Sequence, residues 1–246
     1  MHSKYLIVFL LLLFTNLLNA QLVTDRPDQT ESAATVNKGS LQLESGFMLG
    51  FEEVNAITTR QILSPTTLFR YGLMHGMEIR VVNQFEMLKT PTESFQGISD
   101  TELGVKFEIL NKPGINTQIA FLTHVIVPTG SADLTGDMVE SVNKIAISHN
   151  IKDNVGLGCN LGYSYFGQGP GDLTYSLVLG IGINDRAGIY VETYGEIAAF
   201  ADLMINADAG LTYLIRDNFQ LDLSFGTGAN HKMNFLATGI SWLIMQ

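Results

Sequence analysis

The sequence predicts an all-β chain, a transmembrane antiparallel β-barrel of about twelve strands with short periplasmic turns and longer extracellular loops. Three observations predict it. Apolar and polar residues alternate with period two along almost the whole chain from Leu41 onward. Short and long connections between the alternating segments themselves alternate, as they do when one end of a barrel is built of tight turns. The chain also opens with a segment that reads as an export signal.

In that opening segment Lys4 precedes an apolar run from Tyr5 to Phe14, followed by Leu17, Leu18 and the small residue Ala20. The run has the length of a signal h-region and falls short of the roughly 20 residues a spanning helix needs. Residues 1–20 are therefore expected to be a signal peptide cleaved after Ala20. The cleavage point, Leu18-Asn19-Ala20-Gln21, lacks the cysteine of a lipid-anchored product. Without Lys4 the chain keeps 13 of its 14 basic residues against 24 acidic ones, a formal charge of −11. Phosphate recognition needs a basic footprint, so a nucleic-acid partner is disfavoured. The single Cys159 allows neither an intrachain disulfide nor a multi-cysteine zinc site, and the histidines are too scattered for a metal centre. No metal and no cofactor is expected. After Leu18 no apolar run reaches about 18 residues, which excludes a helical membrane protein.

Residues 21–38 are too polar for a strand and form a periplasmic or lumenal N-terminal segment; residues 39–246 form the barrel. The expected strands are 41–52, 58–70, 76–88, 98–110, 115–127, 139–149, 155–166, 173–183, 187–196, 203–214, 219–227 and 234–245. In the first, Leu41, Leu43, Phe47, Leu49 and Phe51 take one parity and Gln42, Glu44 and Glu52 the other. Met77, Ile79, Val81 and Phe85 alternate with Glu78, Arg80, Gln84 and Glu86, and Leu103, Val105, Phe107 and Ile109 with Glu102, Lys106 and Glu108. The sorting persists to Phe219, Leu221, Leu223 and Phe225 against Gln220, Asp222 and Ser224. Most segments reach the roughly 9–11 residues of a tilted membrane strand. A soluble β-sandwich also alternates. However, the second face here is rich in Gly, Glu, Asp, Ser and Asn and poor in Lys, and Tyr163, Tyr165, Tyr175, Tyr194, Tyr213 and Trp242 lie near strand ends as interfacial girdles do. Ile151-Lys152-Asp153-Asn154, Ile183-Asn184-Asp185-Arg186 and Ile215-Arg216-Asp217-Asn218 recur at equal spacing. That repeat is read as a turn signature.

By parity the lumen holds the acids Glu44, Glu78, Glu86, Glu102, Glu108, Glu192, Asp208 and Asp222, with Asp100 and Glu196, and the bases Arg70, Arg80, Lys106 and Lys144. His124 joins them. This mixed, acid-leaning interior forms either a narrow passage that disfavours anions or a salt-bridged plug. Asp25-Arg26-Pro27-Asp28 is the candidate N-terminal motif, acting as a plug, as a contact for a periplasmic partner, or as a tail. Catalytic residues are not expected. His149 and Ser148 point to opposite faces as strand neighbours, and only His124 could meet Ser148 across the next strand.

The segments Thr24-Asp25-Arg26-Pro27-Asp28-Gln29-Thr30-Glu31-Ser32, Phe69-Arg70-Tyr71-Gly72-Leu73, Gly97-Ile98-Ser99-Asp100-Thr101-Glu102, Pro128-Thr129-Gly130 and Gly239-Ile240-Ser241-Trp242 resemble the outer-membrane transporters grouped with the meta-pathway phenol-degradation proteins. The resemblance covers most of the chain after residue 20. It implies a barrel in the outer membrane of a Gram-negative bacterium that passes small molecules, hydrophobic or aromatic ones among them. The partners it implies are outer-membrane lipid, the barrel insertion machinery and an unidentified small-molecule solute. A non-conducting structural barrel and an outer-membrane lipid hydrolase are the alternatives. Many such barrels end on an aromatic residue, whereas this chain ends Trp242-Leu243-Ile244-Met245-Gln246.

Overall fold

A computed structural model describes residues 22–245; the expected signal peptide, residues 1–20, and the terminal Gln246 lie outside the described residues. The strands are β1 Leu41–Val54, β2 Ile57–Met74, β3 Met77–Lys89, β4 Ser94–Ile98, β5 Thr101–Leu110, β6 Thr117–Val127, β7 Glu140–Lys152, β8 Val155–Tyr165, β9 Asp172–Gly182, β10 Ala187–Ala198, β11 Asp202–Arg216, β12 Phe219–Gly228 and β13 Lys232–Met245. Each pairs antiparallel with its chain neighbour, except that β4 and β5 both pair with β3 rather than with each other. β1 also pairs with β13 from Leu41↔Met245 to Glu53↔Lys232, which closes the sheet. Closure removes the unpaired backbone edges that hydrocarbon cannot tolerate.

The expected strand 98–110 begins only at Thr101, as β5, and an additional short strand, β4, precedes it in the stretch between the expected strands 76–88 and 98–110. β3 pairs through Phe85–Lys89 with β4 and through Met77–Val82 with β5. The two short strands share one position in the barrel wall, so the thirteen strands form twelve staves. The break falls at Ser99–Asp100 because the Asp100 carboxylate is engaged elsewhere. It accepts hydrogen bonds from the Thr129, Gly130 and Gly136 amides and the Thr135 hydroxyl at 2.7–2.9 Å, holding the 128–136 loop against the wall. Asp100 is thus a loop-binding residue rather than part of the lumen wall.

Outward side chains on the alternating positions are apolar and exposed, among them Phe47, Leu103, Phe107, Leu161, Val191, Phe225 and Leu236. In a water-soluble chain so many would be a liability; against lipid tails they are the required surface. Phe219 and Trp242 stack edge to face at 6.4 Å at the end that carries both termini. Tyr194 is a correction to the expected girdle, since it lines an interior cavity. The turns at that terminal end use the repeated asparagines: Asn184 Oδ1 accepts from the Arg186 and Ala187 amides at 2.9 Å, Asn154 donates to the Gly182 carbonyl and Asn218 to the Leu243 carbonyl. At the other end the connections include the 128–139 and 166–171 loops and the tight Asn55–Ala56 turn, whose two residues have φ of 51° and 64°.

Candidate functional site

Residues 22–40 thread the lumen. The segment leaves it beside β2, where the Gly39 amide donates to the Gly72 carbonyl and the Gly72 amide to the Ser40 carbonyl. A Cβ on Gly72 would lie 2.0 Å from the Asn37 carbonyl oxygen, so only glycine admits the segment there. Near the terminal end Leu22 and Val36 pack on Leu243 of the wall.

On the terminal side of the barrel's middle the segment meets a cluster of buried charges. Arg70, Arg80 and Lys106 on β2, β3 and β5 are essentially inaccessible to solvent, as are Glu44 and Glu78. Arg70 binds Glu78 at 3.0 Å and Glu44 at 2.9 Å, and Arg80 binds Glu78 at 2.9 Å. Three cations against two carboxylates leave the wall one positive charge in excess, a costly arrangement where water is excluded. Asp25 of the segment supplies the missing anion. Its carboxylate lies 2.6 Å from Arg80, 2.9 Å from Lys106 and 3.4 Å from Arg70. Burial pushes the Asp25 carboxyl up, but Arg70, Lys106 and Arg80 together pull it well below the usual carboxylate range. Arg80 extends the network to Glu31 at 2.7 Å and donates from Nε to His124 Nε2 at 2.9 Å. Because arginine only donates, the His124 proton lies on Nδ1, which faces Glu102 at 2.8 Å.

The opposite side of the lumen, β8–β12, is built differently. Arg26 forms a forked bond to Asp222, 3.1 Å from Nε and 2.8 Å from Nη2. Its guanidinium lies flat over Gly46 and Gly239, which face each other across β1 and β13; a Cβ on either would lie 2.4–2.6 Å from Arg26 Nη2. Glu192 accepts from the Gln29 amide at 2.7 Å and from the Thr30 hydroxyl, whose oxygen in turn accepts from the Ser176 hydroxyl at 2.7 Å. Asn160 exchanges two bonds with the Glu31 backbone. Glu192 stands directly across the ladder from Asp208, whose two carboxylate oxygens are buried without hydrogen-bond partners. Asp28 lies beside them, and burial together with the Glu192 and Asp208 charges pushes its carboxyl well above the usual range. Among the described residues no ion pair includes Asp28, Glu192 or Asp208.

The segment divides the lumen. Above it, toward the end away from the termini, is a vestibule of about 700 Å³ whose walls include Met48, Leu63, Leu68, Val82, Leu122, Val142, Met233 and Phe235. Below it is a crevice of about 440 Å³ between the segment and β7–β12. Arg26, Pro27, Asp28 and Glu31 line both, so the partition there is one layer of residues thick.

Residues 24–242 match the family described as "Putative MetA-pathway of phenol degradation". The chain belongs to this family. No curated protein sequence matches it. Among solved structures it is similar to the KdgM porin in complex with disordered oligogalacturonate, with 10% identity, a TM-score of 0.56 and coverage of 82% of this chain and 98% of that one. A second KdgM porin structure gives 10% identity, a TM-score of 0.55 and coverage of 81% and 98%. The Ralstonia pickettii toluene transporter TbuX aligns at 8% identity and a TM-score of 0.49, over 88% and 91% of the two chains. This member of the phenol-degradation family therefore has the fold of an outer-membrane barrel.

Of the residues assigned to the lumen by parity, Glu44, Arg70, Glu78, Arg80, Lys106, His124 and Glu102 form one connected network. Glu192 and Asp208 form a second group, and Asp222 binds the segment. Glu86 stands apart with Gln61 and Ser99, Glu108 binds Thr35, and Lys144 and Glu196 line cavities above the segment. The Asp25–Asp28 motif is inside the barrel, not in the periplasm. His124 does not meet Ser148: His124 pairs across the ladder with Val142, whereas Ser148 pairs with Gln118 and accepts the Ala33 amide. Among the described residues no three His, Cys, Asp or Glu side chains are placed to hold a metal ion. Parity alone missed the apolar vestibule wall. Its signal was present in doubled apolar pairs such as Leu68-Phe69, Val81-Val82, Phe121-Leu122 and Phe235-Leu236, where one apolar residue of each pair, Leu68, Val82, Leu122 or Phe235, falls on the lumen face.

Proposed function

We propose that this protein is a passive outer-membrane channel for small, uncharged, hydrophobic molecules of the aromatic class, closed at rest by its own N-terminal segment. The observation that carries this reading is the vestibule: a cavity of about 700 Å³ on whose walls aliphatic, thioether and aromatic side chains outnumber the charged Glu52, Arg80, Glu102, His124 and Lys144, open away from the termini and floored by residues 25–29 and Glu31. Pockets of 300–1,000 Å³ with mostly apolar linings are the usual receptors of small organic ligands. The description of the family points to the same solutes. The charged lumen residues serve the closure rather than the solute, since most of their charge is spent on one another and on the segment.

The test is the initial rate of radiolabelled toluene uptake by Gram-negative cells that carry the protein, that lack it, or that carry a Val82→Asp, Leu122→Asp variant. The protein is expected to raise the rate several-fold and the variant to lose that gain. Equal rates in all three strains would favour the second reading, a static barrel, which the filled lumen supports.

A further inference from the structure

The segment is not held evenly, and its weakest part is a closed loop. The Ser32 amide donates to Asp25 Oδ1 at 2.8 Å, and Lys106 binds both the Asp25 carboxylate and the Ser32 carbonyl at 2.9 Å. Residues 26–31 therefore leave and return to one fixed base on the β5 wall. Beyond that base, what ties the loop to β8–β12 is the Arg26–Asp222 pair, with Arg26 partly open to solvent, and hydrogen bonds to Glu192, Ser176 and Asn160 that water can replace. The same side carries small wall residues, Gly158, Gly180 and Gly188 among them, and the crevice that continues toward the terminal end. Asp28 also faces this side, where burial and the charges of Glu192 and Asp208 disfavour its ionised form.

We infer that loop 26–31 is the moving part of the closure, that the solute path opens between it and the β8–β12 wall, and that Glu192, Asp208 and Asp222 on that wall make the path refuse anions. This rests on the channel reading above. Swinging the loop away joins vestibule to crevice without disturbing Asp25, and it leaves three wall carboxylates facing the opening with no basic side chain of the wall paired to them. A ring of uncompensated acids at a constriction repels anions while passing neutral and cationic solutes.

The mature chain is refolded in lipid, folding being checked by the electrophoretic shift between boiled and unboiled samples. A Thr30→Cys, Ser176→Cys variant in a Cys159→Ser background ties the loop to the wall, because the two hydroxyls are already in contact. The oxidised form is expected to lose toluene uptake and conductance, and reductant to restore both. Arg26→Ala and Asp222→Asn are expected to raise open probability about tenfold or more, a single charge-assisted hydrogen bond being worth at least that factor. In the Arg26→Ala protein, a potassium chloride gradient is expected to give a cation-selective reversal potential that Glu192→Gln with Asp208→Asn moves toward zero. Uptake that survives the disulfide would overturn the path and leave the channel reading standing. An open state with no cation preference would overturn the role of the carboxylates. Absence of both uptake and conductance in every form would remove the channel reading itself.

Discussion

The two sides of the lumen receive the same short segment by opposite electrostatics. On the β1–β6 side the wall is one anion short, and Asp25 completes it among Arg70, Arg80 and Lys106. On the β8–β12 side the wall is rich in anions, and the segment brings one cation, Arg26, together with a further carboxylate, Asp28. A buried charge is tolerated only when it is paired and hydrogen-bonded. The first side is therefore a structural joint and the second a contact that is easier to leave. The difference shows how one barrel can hold a plug permanently and still let part of it move.

The largest effect is expected at Asp25. Asp25→Ala removes a carboxylate that touches all three buried cations, leaving Glu44, Glu78 and Glu31 to them, and should cost about 3–5 kcal/mol of stability, the range for breaking a buried ion pair from one side. Urea unfolding of the lipid-refolded protein measures it. A loss below about 1 kcal/mol would mean that water reaches the cluster and that the joint is not one.

A smaller effect is expected at the seat of Arg26. Gly239→Ala places a methyl group 2.4 Å from Arg26 Nη2, and Gly46→Ala one at 2.6 Å. The guanidinium must lift from the wall and loosen its fork on Asp222. Overpacking of this kind costs about 1–3 kcal/mol. Here part of that cost is relieved by loop movement, so each variant should gain channel openings in planar bilayers, as Arg26→Ala does, while losing less stability than Asp25→Ala. Unchanged conductance in both glycine variants would show that the loop stays closed without its fork.

The barrel was legible in the sequence because lipid imposes one rule on every second residue, and residues such as Phe47, Leu103 and Phe225 obey it without regard to what lies inside. The lumen was legible only as a set. Parity assigned Arg70, Glu78, Arg80 and Lys106 to the interior, but which charges meet depends on register and stagger between staves, which alternation does not encode. The break at Asp100 was hidden for the same reason: its cause is a loop more than thirty residues away in the chain, where Gly136 donates to it. The Thr24–Ser32 segment marked itself as unsuited to a strand. Its fit became visible only once the excess positive charge of the wall was placed in space. The apolar vestibule was written in residues that violate alternation, such as Val82 and Leu122, and a reading that rewards alternation discounts them.

The smallest expected effect separates the two aspartates by sign. Asp25 has a folded-state pKa below its ordinary value near 3.8, so it contributes stability above that value and loses it as pH falls toward the lower one. Asp28 has a raised folded-state pKa, so its contribution is present below its ordinary value and is lost as pH rises through the higher one. Asp28→Asn should therefore leave stability at neutral pH unchanged or slightly higher. It should also flatten the decline expected of the wild type on the alkaline side of about pH 4, the ordinary carboxylate value. Urea midpoints collected between about pH 3 and 8 for wild type, Asp25→Asn and Asp28→Asn would read this directly. If both asparagine variants fell below wild type at neutral pH, Asp28 would be a paired anchor like Asp25. The asymmetry between the two sides, and with it the reason for the loop to open toward β8–β12, would be gone.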